Sequence, residues 1–81
     1  MKTKHVNSLS SYEVQITDAY EKPVVEWVRM RERGLVALLE TMCGATEEQV
    51  DQFLLKVEDD NSASFRGRLD PPYILFAINK Q

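Results

Sequence analysis

The stretch "VVEWVRMRERG", residues 24–34, decides the fold. Val24, Val25, Trp27 and Val28 are β-branched or aromatic, the composition of a strand. A helix is the rival reading. Pro23 suits a first helical turn, and Val24, Trp27 and Val28 fall at helical spacing. That helix would carry Arg31 on its apolar stripe, and Gly34 would interrupt it on the way to Leu35. The strand is the better reading, over Val24–Arg31, entering a helix through Gly34. On it Arg29, Arg31 and Arg33 project to one face, and Trp27 shares that face.

Upstream, "YEVQIT" alternates strictly. Tyr12, Val14 and Ile16 take one face; Glu13, Gln15 and Thr17 take the other. This is the period of a half-buried strand. "DAYEKP", with Asp18 and Pro23 as turn residues, then joins two strands into a hairpin. The N-terminal "KTKHV" is too short a pattern to read. Residues 1–10 are either a flexible segment or an added edge strand.

Downstream, "GLVALLETMCG" is helical, with Leu35, Leu38, Leu39 and Met42 at i, i+3, i+4 and i+7 and Gly44 as a stop. "TEEQVDQFLLKVEDD" carries clearer signals. Thr46 and Gln49 form a capping box, and Glu47 and Glu48 sit where the helix dipole favours acids. Val50, Phe53, Leu54 and Val57 make its buried stripe, and Asp59, Asp60 and Asn61 end it. "SASFRGRLDPP" holds a short strand around Phe65–Leu69, stopped by Pro71 and Pro72. "YILFAINK" is apolar on both faces, which predicts a central strand covered on both sides. The order is β-β-α-α-(β)-β. Segregated strands and helices imply an α+β fold, a small antiparallel sheet of three to four strands with a two-helix hairpin on one face.

The chain of 81 residues fits one domain, 1–81. Its single cysteine, Cys43, forms no internal disulfide, so packing alone must hold the fold unless copies associate. No apolar h-region follows the basic N-terminus, and the apolar run Tyr73–Ile78 is too short to span a membrane. We expect a soluble cytoplasmic protein. The net charge of −3 is unevenly spread. Residues 35–65 hold seven acids against Lys56 alone, while residues 1–34 and 66–81 are each slightly basic.

Catalysis finds few candidates. His5 and Cys43 are single and lie in different elements, and a helix C-terminus raises a thiol pKa rather than activating it. Cys43 therefore reads as a partly buried inert thiol. Asp59 and Asp60 lack the spacing of a calcium loop. Gly34, Gly44 and Gly67 are scattered, so there is no phosphate loop. No catalytic residue, metal ligand or cofactor is assigned, and an enzyme is not expected.

"LLETMCGATEEQVDQFL" resembles the helix-turn-helix pattern, with a turn through Gly44 and a Thr-capped second helix. It departs at Glu40, where a small residue is usual. Its second helix shows Glu47, Glu48 and Asp51, which DNA phosphates would repel. The stretch is also similar to the first two helices of small ubiquitin-binding three-helix domains, but no third helix follows.

Two surfaces remain. Glu47, Glu48, Asp51, Glu58, Asp59 and Asp60 form an acidic face that is either a solvated helix surface or a complement to a basic partner. The leading expectation is a non-enzymatic protein-binding module, an inhibitor or adaptor of phage or mobile-element type acting on a basic, nucleic-acid-binding protein. The alternative is nucleic-acid binding through Trp27, Arg29, Arg31, Arg33, Arg66 and Arg68, the last two on a neighbouring strand. The bland reading of these arginines is ion pairing on the sheet or with the acidic helix. A homodimer through an open sheet edge is a third.

Overall fold

A computed structural model describes residues 11–18, 20–67 and 73–80. Alternation in the first strand, β1 (Ser11–Thr17), is realised as strict alternation of burial, with Tyr12, Val14 and Ile16 inside. The contested stretch is strand β2 (Pro23–Arg31). Between them Asp18 closes the hairpin: its Oδ1 accepts from the Tyr20 and Lys22 amides, each at 2.9 Å. Glu21 takes a left-handed φ of 64° there, a conformation that costs a side-chain-bearing residue roughly 1–2 kcal/mol.

Helix α1 (Glu32–Thr41) begins two residues before Gly34, so Arg33 is helical and Gly34 lies inside the first turn. The end of β2 and the start of α1 pack closely at this point. A Cβ on Gly34 would sit 3.3 Å from Met30 Cβ. Leu35 and Leu39 are fully buried, with Leu38 and Met42 half-buried beside them. After α1 the chain turns through Gly44 at a φ of 66°, and the Ala45 amide donates to the Leu39 carbonyl at 3.0 Å.

Helix α2 (Glu47–Asp60) has the capping box that its sequence announces. The Gln49 amide donates to Thr46 Oγ1 at 3.2 Å, and the Thr46 amide donates to Gln49 Oε1 at 2.9 Å. Val50, Phe53, Leu54 and Val57 are buried as their spacing requires. Asn61, left-handed at a φ of 69°, ends the helix and turns the chain straight into β3 (Ser62–Arg66). That strand starts three residues earlier than the Phe65–Leu69 expected, and positions 68 and 69 lie outside the described residues, as does "KTKHV". The last strand is β4 (Ile74–Asn79).

The four strands form one antiparallel sheet in the order β2-β1-β4-β3. Strands from opposite ends of the chain, β1 and β4, make its centre, with Val14 opposite Ala77 and Ile16 opposite Leu75. The helices cover one face, α1 against β1 and β2, α2 against β3 and β4. Ring packing ties the second pair together, with Phe53 and Phe65 edge to face at 6.2 Å. The fold class is therefore as expected, an α+β sheet with a helical hairpin on one side.

The reading of β4 as covered on both sides needs correction. Its place is central, but only Leu75 and Ala77 are buried. Ile74, Phe76 and Ile78 point to the opposite face and are half-buried, with no described helix over them. Trp27 meets Phe76 edge to face at 5.8 Å and shields it in part.

Gly67 is where the chain after β3 passes behind the end of α1. A Cβ there would meet Cys43 Cα at 3.0 Å and the Tyr73 carbonyl oxygen at 3.1 Å, both on backbone. The Gly67 amide also donates to that carbonyl. Gly67→Ala is expected to lower the unfolding free energy by about 1–3 kcal/mol, read as a drop in the urea midpoint. A midpoint equal to wild type would show that the backbone there yields freely.

Candidate functional site

The arginine surface does not assemble as its spacing suggested. Arg29 points to the uncovered face of the sheet opposite Glu13 on β1, and its Nε lies 4.0 Å from Glu13 Oε2. The pair is solvent-exposed, so it holds charge in place more than it stabilises. Arg29 therefore answers a carboxylate of the neighbouring strand, not one of the acidic helix. Arg31 also has an interaction and is not free. Arg33 belongs to α1, where a turn of roughly 100° per residue removes it from the strand face.

The proposed second half of that surface is misplaced as well. Arg66 ends β3, and β3 and β2 lie at opposite edges of the sheet, not side by side. Three strand spacings of about 4.8 Å separate them, roughly 14 Å. Arg68 lies outside the described residues. Trp27 does share the outer face with Arg29, but its ring is engaged by Phe76. A row of cations beside free stacking platforms is not formed among the described residues.

The acidic surface divides in two when placed on α2. At about 100° per residue, Glu47, Glu48, Asp51, Glu58 and Asp59 spread over roughly 120° of the helix circumference. Asp60 falls on the other flank, where Lys56 Nζ reaches its Oδ2 at 3.3 Å. That second flank borders β3. Gln49, Gln52, Phe53 and Lys56 line a shallow groove of about 320 Å³ with Ser64 and Phe65. The five carboxylates of the first flank take part in no ion pair among the described residues. Asp51 is the innermost, with Oδ1 buried and lacking a hydrogen-bond partner among the described residues.

In the middle of this flank stands Leu55, 44% exposed. Asp51 lies one turn before it; Glu58 and Asp59 lie one turn after; Glu48 lies two turns before. Leu55 belongs to no buried stripe, and sequence reasoning passed over it. The signal was present in "FLLK": of two adjacent leucines, only Leu54 fits the periodicity of Val50, Phe53 and Val57.

Among the described residues no group of three or more His, Cys, Asp and Glu is placed to hold a metal ion, and no helix is long and apolar enough to cross a membrane. Cys43 is wholly buried, more than expected, and burial pushes its thiol up from 9.0 to about 11. No protein-family model, curated protein or solved structure matches the chain.

Two measurements check this description. An aromatic disulfide reagent at neutral pH should label native Cys43 at least about 100-fold more slowly than the urea-unfolded chain, since two pK units alone remove that much thiolate. The same shift makes the neutral thiol stabilising below pH 9.0, and that contribution fades as pH rises towards about 11. Rapid native labelling would contradict the burial. Second, short single- and double-stranded oligonucleotides at low salt should show no saturable anisotropy change. Salt-sensitive saturation would restore the arginine surface.

Proposed function

We propose that the protein is a non-enzymatic interaction module that docks on a basic protein through one flank of α2. The observation that carries this reading is Leu55, an exposed leucine ringed by Glu48, Asp51, Glu58 and Asp59, none of them in an ion pair among the described residues. Apolar centre and charged rim are the anatomy of a protein interface. Carboxylates in no ion pair among the described residues are available to steer association with a cationic surface and to fix its register.

A purely solvating face accounts for the carboxylates, while Leu55 at their centre adds apolar area that a partner could cover. The narrower version has an inhibitor or adaptor of phage or mobile-element type acting on a nucleic-acid-binding protein. It rests on the small size and acidic charge of the chain.

The test uses residues whose change spares the core. Glu48, Glu58 and Asp59 are exposed, whereas Asp51 is half-buried. Glu48→Lys, Glu58→Lys and Asp59→Lys together, and Leu55→Ser separately, are expected to abolish capture of a basic protein from lysate, identified by mass spectrometry. Asp60→Lys, on the other flank, should leave capture intact. Equal capture by the triple variant and the wild type would end the proposal.

A further inference from the structure

The exposed apolar side chains are not scattered. Of the five large hydrophobic residues that stand most open among the described residues, Val24, Trp27 and Val28 lie on β2, at 49%, 43% and 43% exposure. Among the described strands β2 is an edge of the sheet, and of its nine residues only Val25 and Met30 are even half-buried. An edge strand presents unpaired backbone N–H and C=O groups along its free side. The other edge is differently made: β3 has five residues, is lined by Ser62, Ser64 and Arg66 on its outer face, and is flanked by α2. Short length and polar side chains are the usual protection of an edge; β2 is nine residues long, and its charged residues Glu26, Arg29 and Arg31 are interspersed with the exposed apolar Val24, Trp27 and Val28.

We propose that β2 is a dimerisation edge, pairing antiparallel with β2 of a second copy about a two-fold axis at Val28. Symmetry and charge select this register. Beyond the bulge opposite Gln15, the ladder from Val28 to Arg31 is regular, with Val28 on the helix side and Arg29 on the outer side. An axis at Val28 sets Val28 against its own copy and covers an aliphatic surface that α1 leaves bare. It sets Trp27 directly opposite Arg29 of the second copy on the outer face, twice, an aromatic ring beside a guanidinium. It also sets Glu26 opposite Met30. No like charges face each other.

Shifting the axis by one residue towards the C-terminus would bring Arg29 against Arg29, and shifting it by two would bring Arg29 against Arg31, which disfavours both registers. Shifting it towards the N-terminus would centre the pairing on the bulge. The chosen pairing makes one continuous eight-stranded antiparallel sheet. α2 packs on β3 and β4, away from β2, so the acidic flank stays clear of the interface in each copy. The inference does not depend on what that flank binds. An interface of this kind, two short strands and a few side chains, belongs to the low end of stable sizes, which sets association in the micromolar range.

The experiment measures mass by light scattering across a micromolar concentration series. The wild type is expected to rise from 9.3 kDa towards twice that value. Val28→Lys, which places two ammonium groups on the axis, should stay at the monomer mass with the far-ultraviolet circular dichroism of the wild type. Val28→Cys supplies a gain of signal that does not depend on a loss. Residues directly opposite in an antiparallel pair have Cα atoms about 4.5–5.5 Å apart, within disulfide reach. Mild oxidation should therefore give a disulfide between residue 28 of each copy, located by peptide mapping; Cys43 is buried and does not compete. A wild type that stays at 9.3 kDa throughout overturns the proposal. So does a dimer that survives Val28→Lys and fails to cross-link at residue 28, which would move the interface to the face of Ile74, Phe76 and Ile78.

Discussion

Everything in this molecule hangs on the pairing of β1 with β4. Val14 and Ile16 come from the start of the chain, Ala77 and Leu75 from its end, and all four are completely buried. Such a contact closes a long loop before it returns any energy, so the intervening elements must supply the compensation. They do so in two halves. The Asp18 turn lays β2 along β1, and α1 seals that half with Leu35 and Leu39. The Asn61 turn lays β3 along β4, and α2 seals the other half with Phe53, Leu54 and Val57. Small side chains help at the second seam, where Ala63 and Ala77 sit opposite each other beneath the helix layer.

Two exposed ion pairs contribute little to this arrangement. Arg29 with Glu13 and Lys56 with Asp60 are both exposed, and exposed pairs are worth roughly 0–1 kcal/mol. The charge asymmetry of the chain is thus a property of its surface. Among the described residues, no cation pairs with the carboxylates of the outer flank of α2. The outer flank of α2 carries carboxylates outside any ion pair among the described residues, with the exposed Leu55 among them. The uncovered face of the sheet differs in kind. Its apolar residues on β4 are half-shielded by Trp27 and by neighbouring strands, so less of that surface is open than along β2.

Most of the elements were legible because their causes are local. Alternation along Tyr12–Thr17, the capping box at Thr46 and the stripe from Val50 to Val57 act within a few residues. The errors share a different cause. Gly34 reads as an entrance to the helix, yet it lies inside the first turn, where the Met30 side chain packs against the space a Cβ would fill. The sequence puts β3 three residues late because the left-handed turn at Asn61 lets a strand begin immediately after α2. An apolar β4 reads as needing cover on both sides, but Trp27 on β2 supplies part of it.

By itself the sequence determined the element types, the inward residues of β1, α1 and α2, and the acidic character of the segment from 47 to 60. These follow from periodicity, capping and composition, which a chain carries in its linear order. Only the tertiary structure decided which strands are neighbours, and with that which charges share a surface. Sheet order separates Arg29 from Arg66, helix geometry separates Arg33 from Arg29, and helix phase separates Asp60 from the other five acids. Edge status, which leaves β2 open and places β1 and β4 at the centre, is a relation between segments distant along the chain. No local pattern encodes it, because it is settled by which apolar faces can be buried together.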